Sequence, residues 1–208
     1  MKLTLRPIAA ILLCAASLPA AVFTFDSNPF AGSTALTTPG RQVVGGEPFI
    51  VFNIATDIFA FDPAVFNIGN AIAFANDIAA NLPTGGVNVI VLQSFDNDND
   101  PGTPFNAGTA ANLIAAQITS PGAGFFIYFN QGLDLARLVY STDLNDNTSD
   151  LKIIARLTNL SGQPGRDAFP TFTASNFTTV PEPATFGLVS LALAGLAVRK
   201  RLRAPARR

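Results

Sequence analysis

The densest group of potential metal ligands in the chain is Asp96-Asn97-Asp98-Asn99-Asp100. Three carboxylates at alternate positions can converge on one cation when the chain turns around it, and Ca²⁺ takes several oxygen ligands. Asp96, Asp98 and Asp100 are therefore candidate calcium ligands, and no other cofactor is predicted. The alternative is an exposed turn, because Asp and Asn side chains commonly bond the local backbone in turns.

Agreement of this segment with an EF-hand loop is only partial. Its glycine is Gly102, one place late, and Pro101 stands at the expected glycine position. The twelfth residue counted from Asp96 is Ala107, where the EF-hand pattern has a bidentate Glu. A second oxygen-rich segment, residues 143–150, departs further from the pattern. Both the calcium loop and the exposed turn remain open interpretations.

The side chains most used in enzyme active sites are largely missing. The sequence has no His, and its single Cys is Cys14. Ser-His-Asp and Cys-His catalysis, imidazole zinc sites and thiolate sites beyond that residue are thereby excluded. Glycosidase chemistry needs only two carboxylates at a suitable separation. We therefore expect a non-catalytic protein, with a secreted carboxylate-dependent hydrolase as the alternative.

Charge is distributed unevenly along the chain. Residues 22–179 contain five basic side chains against 13 acidic ones, a net charge of about −8, whereas most of the basic residues lie near the two termini. Such an acidic segment is not expected to bind nucleic acid. It also lacks Cys, so its core must be stable without disulfides.

The elements that must position these side chains are mostly strands. The predicted strands are residues 22–25, two short strands within 49–61, 87–95, a hairpin of 124–130 and 133–142, 151–158, and 169–178. An apolar stripe with helical spacing predicts a helix over 66–82, and a second helix is predicted over 109–119. The fold class is thus mostly β or α+β. We expect an antiparallel sheet or sandwich with one or two inserted helices, plus an N-terminal signal helix and a C-terminal hydrophobic helix.

The C-terminal 29 residues combine three kinds of segment. Val180-Pro181-Glu182-Pro183 is followed by an uncharged apolar run over 184–198 and by a basic tail over 199–208. Fifteen helical residues span about 22 Å, less than a hydrocarbon core of roughly 30 Å. The basic residues that would stop transfer and stay cytoplasmic are Arg199, Lys200, Arg201 and Arg203.

Together these segments resemble the PEP-CTERM sorting signal of exopolysaccharide-producing Gram-negative bacteria. The resemblance is limited to residues 180–208 and leaves the preceding segment unrecognised. It implies recognition by exosortase, a multi-pass membrane protease-transferase, through the motif Val180, Pro181, Glu182 and Pro183. It further implies cleavage near the motif and release to the cell surface or extracellular matrix.

The N-terminus is typical of a secretory signal peptide. Lys2 and Arg6 form a positive region, residues 8–18 form an apolar region, and residues 17–21 form a small-residue cleavage zone. The sequence therefore predicts three parts: a signal peptide over 1–21, an exported β-rich domain over 22–179, and a sorting signal over 180–208.

This organisation predicts an exported surface or matrix protein with a structural, adhesive or polysaccharide-associated role. Its processing partners would be signal peptidase and exosortase, and its other partners exopolysaccharide or a second copy of the chain. Before processing, residues 184–198 would anchor it transiently in the inner membrane with the C-terminus in the cytoplasm.

Overall fold

The computed structural model describes residues 20–96 and 98–180 of the 208-residue chain. Its strands are β1 (Val22–Phe25), β2 (Val43–Val44), β3 (Phe49–Ile50), β4 (Ile58–Phe61), β5 (Phe74–Asp77), β6 (Val89–Leu92), β7 (Gly124–Asn130), β8 (Leu135–Ser141), β9 (Leu151–Ser161) and β10 (Phe177–Thr179). Its α-helices are α1 (Pro63–Phe66), α2 (Ala107–Ala115) and α3 (Gly162–Asp167). Short 3-10 turns cover Ala79–Asn81, Phe169–Thr171 and Ala174–Asn176.

These strands form two sheets. The main sheet has the order β2-β9-β8-β7-β6-β5, with β3 also pairing with β9, and the small sheet has the order β1-β4-β10. Pairing is antiparallel between β7, β8 and β9, and parallel elsewhere in the main sheet. The small sheet is entirely parallel.

The centre of the main sheet is covered on both faces. All four residues of β6 and all seven of β7 are buried. Because neighbouring side chains on a strand point to opposite faces, Phe125 and Ile127 pack towards the small sheet while Phe126 and Tyr128 pack towards α2. The two faces therefore hold two separate hydrophobic cores.

Phenylalanine rings fill the core between the two sheets. Phe61 of the small sheet stacks on Phe125 of the main sheet with 3.7 Å between ring centroids, and Phe52 stacks on Phe59 at 4.1 Å. The opposite core is aliphatic where Ile114 of α2 meets β6. Burial of large aromatic side chains is a main stabilising contribution in a domain without disulfides.

Several predicted elements are confirmed. β1, β6, the β7–β8 hairpin and β9 fall at the predicted places, and β3 and β4 are the two short strands expected within 49–61. The helix predicted over 109–119 is α2, which begins two residues earlier. Its start is fixed by a capping box, in which Asn106 and Thr109 bond each other's backbone N–H groups.

The helix predicted over 66–82 is wrong. This segment contains the end of α1, then β5 and a 3-10 turn. Asn67 and Gly69 adopt positive φ values of 52° and 73°, which interrupts any helix there. The side chain of Asn88 then accepts a hydrogen bond from Ala73 N–H at 2.8 Å and donates to Ala71 C=O, holding the chain extended beside β6. Tertiary pairing therefore overrides the local helical spacing.

One irregularity in the sequence pattern of β9 has a structural counterpart. Apolar residues alternate with others over 151–158 except at Ile154, and the register skips this residue: Leu138 faces Ala155 and Val139 faces Ile153. Ile154 is the additional residue of a β-bulge and is buried between the two sheets. In the predicted strand 169–178, by contrast, two 3-10 turns precede the short β10.

The predicted fold class, mostly β or α+β with few helices, is confirmed, although the expected antiparallel pairing is limited to β7, β8 and β9: the main sheet is mixed and the small sheet is parallel. The predicted signal helix and C-terminal hydrophobic helix lie outside the described residues. Within residues 20–96 and 98–180, no helix combines the length and apolarity needed to span a bilayer. The boundaries proposed at residues 21 and 180 stay predictions.

Candidate functional site

The last described strand, β10, leads directly into the predicted sorting signal. It pairs in parallel with β4, so that Phe177 faces Phe59 and Thr179 faces Phe61. Val180 N–H donates to Phe61 C=O at 2.8 Å. Val180 is thus part of the folded domain, while Pro181, Glu182, Pro183 and the basic residues Arg199, Lys200, Arg201 and Arg203 lie outside the described residues.

Two buried residues anchor the start of β10. Phe177 is 4% exposed and contacts the rings of Phe59, Phe74 and Phe172, with centroid distances between 5.4 and 6.2 Å. The amide of Asn176 donates to Ile54 C=O at 2.7 Å. A buried amide with satisfied donors is costly to release, because its groups would lose their partners.

The end of β10 is held less firmly. Thr178 is exposed. Thr179 is half-buried, and its hydroxyl donates to Asn70 C=O at 3.2 Å. Only the backbone pairing with β4 continues to Val180. The attachment of the chain therefore weakens over the residues immediately before the predicted motif.

Because the three strands of the small sheet are parallel, their C-terminal ends lie together along one edge of that sheet. Asp26 follows β1, and Asp62 follows β4, where its carboxylate accepts hydrogen bonds from the first turn of α1. The predicted sorting signal leaves from this edge after β10. The edge where the signal departs is consequently acidic.

The candidate calcium ligands lie in consecutive turns of one exposed loop. Asp96 Oδ1 accepts from Asp98 N–H at 3.1 Å, Asp98 Oδ1 accepts from Asp100 N–H at 3.0 Å, and Asp100 Oδ1 accepts from Gly102 N–H at 2.8 Å. Asp98 Oδ2 also accepts from the Thr103 hydroxyl at 2.8 Å. Each carboxylate thus bonds the backbone two residues further on, as Asp does in turns.

No group of three or more Asp, Glu, His or Cys suited to hold a metal ion occurs within 20–96 and 98–180. Calcium binding by Asp96, Asp98 and Asp100 therefore stays a prediction.

In the second oxygen-rich segment, Asp150 is buried and accepts from Leu36 N–H and Gln42 N–H, both at 2.6 Å. That side chain joins the segment to the chain before β2.

Two salt bridges of the described residues share Glu47, between β2 and β3, and sequence reasoning missed them. Glu47 Oε1 accepts from Arg156 Nε at 2.6 Å and from Arg137 Nη2. The Glu47 side chain is 2% exposed, against 13% for Arg137 and 30% for Arg156. We call these three residues the Glu47 cluster.

The position of Glu47 follows from the strand register. Arg137 on β8 lies directly opposite Arg156 on β9. Two like charges opposite each other destabilise a sheet unless an opposite charge intervenes. The carboxylate of Glu47 supplies that charge and fastens the loop between β2 and β3 to the main sheet. No local sequence pattern marks the cluster, because only the register of β8 with β9 brings the two arginines together.

The environment of Glu47 keeps it ionised. Burial by itself would raise its pKa, but hydrogen bonds from Arg156, its own backbone and Arg137, together with the charge of Arg137, lower the pKa to about 2. A carboxyl group with so low a pKa is not a proton donor near neutral pH. Glu47 is thus suited to binding the two guanidinium groups rather than to acid catalysis.

Three surface clefts in the described chain each include one acidic residue in their lining. The first, about 410 Å³, lies between residues 24–31, 46–48 and 152–154 and includes Glu47. The second includes Asp146, and the third includes Asp96. None of these three clefts contains the carboxylate pair that a glycosidase mechanism needs.

Comparison with known proteins identifies one region of the chain. The family model described as the PEP-CTERM protein-sorting motif matches residues 179–201. No curated protein and no solved structure matches the chain. The resemblance seen in the sequence is thereby confirmed, and the matched segment begins at the last residue of β10. The chain carries a PEP-CTERM sorting motif, which implies an exported protein that exosortase sorts to the cell surface.

Proposed function

We propose that residues 22–179 form a non-catalytic domain that exosortase delivers to the cell surface or extracellular matrix, where it has a structural or adhesive role. The observation that carries this proposal is the use of carboxylates to hold the fold. Within this domain, the buried carboxylate of Asp57 accepts from Asn53 N–H at 2.9 Å and from the Thr56 hydroxyl at 3.0 Å.

The same use of carboxylates recurs in other parts of the fold. Asp62 begins α1, Asp150 holds the chain before β2, and Glu47 binds two arginines. Carboxylates committed to such bonds stabilise loops and strand ends, but they are poorly placed to exchange protons with a substrate. A hydrolase would need two acids converging on one cleft.

The adhesive part of this proposal concerns the outer edge of the main sheet. Phe49 and Val51 are 69% and 70% exposed, and the Arg156 guanidinium lies 5.1 Å from the centroid of the Phe49 ring. The exposed face of the Phe49 ring suits a polysaccharide, because sugar rings pack on aromatic faces.

Sorting and location are tested by following a tagged protein in the native cell. Deletion of Pro181–Pro183 should abolish processing and retain the protein with the cells, whereas the unaltered chain should reach the surface or medium. Normal processing of the deletion variant would contradict the sorting role. Anchoring is tested with a reporter that works only in the cytoplasm, fused after Arg208. If residues 184–198 anchor the unprocessed chain with its C-terminus in the cytoplasm, this reporter should be active.

The non-catalytic role is tested with the purified domain and exopolysaccharide isolated from the same cells. We expect sedimentation of the domain with the polysaccharide but no new reducing ends. Phe49→Ser should weaken this binding, while Leu133→Ser, at another exposed apolar residue, should leave it unchanged. Release of reducing ends by the wild-type domain would establish the alternative, a carboxylate-dependent hydrolase.

A further inference from the structure

The matched sorting segment overlaps the folded domain. It begins at Thr179, whose backbone pairs with β4, and continues through Val180, whose N–H is bonded to Phe61 C=O. The first two residues of the segment are therefore held in a sheet. We propose that the end of β10 must separate from β4 before exosortase can bind the motif, so that residues 178–180 belong to the segment that the enzyme takes up.

The first argument is the competition for backbone groups. Enzymes that act on peptide bonds commonly bind an extended stretch of substrate through its main-chain N–H and C=O groups. In the folded domain, Val180 N–H already donates to Phe61 C=O. This group can bond either β4 or an enzyme, because one N–H cannot serve both.

The second argument is reach. With β10 paired, the chain is fixed as far as Val180. Three further residues, which include Pro181 and Pro183, extend at most about 11 Å. The motif cannot move further than this from the domain surface, whereas each residue released from β10 adds about 3.3 Å of extended chain. Release of the strand end thus converts a short tether into a longer one.

The structure also limits how far the release extends. Phe177 is buried among three other phenylalanine rings, and Asn176 is bonded to Ile54 C=O and Asp57 C=O. Thr178, by contrast, is exposed. Opening should therefore stop at Phe177, so that the domain stays folded while residues 178–180 detach. Such local opening at a strand end costs far less than global unfolding.

This inference rests on the proposed processing by exosortase, and a disulfide tests it separately. Ala60 faces Thr178 on one side and Thr24 on the other, in parallel register. Neighbouring strands lie about 4.8 Å apart, a separation that a disulfide can bridge. Ala60→Cys with Thr178→Cys joins β10 to β4. Ala60→Cys with Thr24→Cys is the matched control, because it joins β1 to β4 and leaves β10 unlinked.

The measurement is pulse-chase conversion of the full chain to its processed form in the native cell, with the disulfide assayed by thiol labelling. We expect the β10 lock to slow conversion at least about ten-fold, because processing through an open state follows the population of that state. The β1 lock should convert at the wild-type rate. Reduction of the disulfide with a thiol reductant should restore conversion of the locked chain, because it releases residues 178–180 from β4.

A formed β10 lock that is processed at the wild-type rate would overturn the inference, as would a locked chain that stays unprocessed after its disulfide has been reduced. Deletion of Pro181–Pro183 separates the two proposals. If that deletion leaves processing intact, sorting by the motif has failed, whatever the locks show.

Discussion

Glu47 and the acidic loop at residues 96–100 use carboxylates in different ways. Glu47 is a lone acid in its stretch of sequence, yet its buried side chain binds Arg137 and Arg156. The loop concentrates three Asp within five residues, and its carboxylates bond backbone N–H groups of the loop itself. The density of acids in the sequence therefore does not indicate where electrostatic interactions are strongest. Burial and opposing charge decide that.

The largest expected effect is the loss of stability when Glu47, rather than an Asp of the acidic loop, is replaced. Glu47→Gln leaves two opposed guanidinium groups without a counter-charge and should lower the free energy of unfolding by about 2–3 kcal/mol. This is less than for a fully buried pair, since 30% of the Arg156 side chain is exposed. Urea unfolding of the purified domain measures the change. A loss as small as that of a surface substitution would show that the Glu47 cluster adds little to stability.

The second prediction uses pH to separate the charge of Glu47 from its shape. Its folded pKa of about 2 lies below the ordinary value of 4.5. The stability it contributes is therefore fully present above pH 4.5 and is lost as pH falls towards 2. Most of the difference between wild type and Glu47→Gln should disappear over that range, because a protonated Glu resembles Gln. If the difference in unfolding free energy between wild type and Glu47→Gln stayed constant down to pH 2, Glu47 would stabilise the domain through its packing and not through its charge.

The third prediction concerns calcium and the acidic loop. Because each loop carboxylate already accepts a backbone hydrogen bond, we expect millimolar Ca²⁺ to change the melting temperature of the domain by less than about 1 °C relative to chelator. A rise of several degrees that Asp98→Asn removes would instead establish Asp96, Asp98 and Asp100 as a calcium site. Mg²⁺ at the same concentration is the control for ionic strength.

The smallest expected effect is that of Asp98→Asn on stability. Asn retains an oxygen that can accept from Asp100 N–H, and the loop is exposed. The free energy of unfolding should change by no more than about 0.5 kcal/mol, as for most surface substitutions. A loss comparable to that of Glu47→Gln would remove the contrast between the two regions. Both variants are measured in the same urea series.

Features that depend on neighbouring residues could be predicted from the sequence. The central strand β6, the β7–β8 hairpin and the helix α2 all follow local spacing. The helix expected over 66–82 failed because Asn88 and β6 hold that segment extended. Helical spacing of Ile and Ala cannot reveal such a distant partner, and tertiary context overrides a weak local preference.

In the candidate site, too, one part could be predicted from the sequence and another could not. The sorting motif was recognisable because its residues are consecutive in the chain. The Glu47 cluster was not, because Glu47 is separated from Arg137 by 90 residues and from Arg156 by 109. Only the register of β8 and β9 brings the two arginines opposite each other. Predicting the cluster would have required that register, which one sequence does not specify.

The parallel small sheet has a mechanical consequence. The chain enters it at Val22 in β1 and leaves it at Thr179 in β10, and both strands flank β4. Because all three run in one direction, tension applied between residues 21 and 180 pulls β1 and β10 in opposite directions along their axes. The hydrogen bonds to β4 are then loaded in shear and resist together, whereas bonds in an unzipping geometry break one at a time. A domain pulled through both ends would transmit force across β4, whose Phe59 and Phe61 are part of the aromatic core.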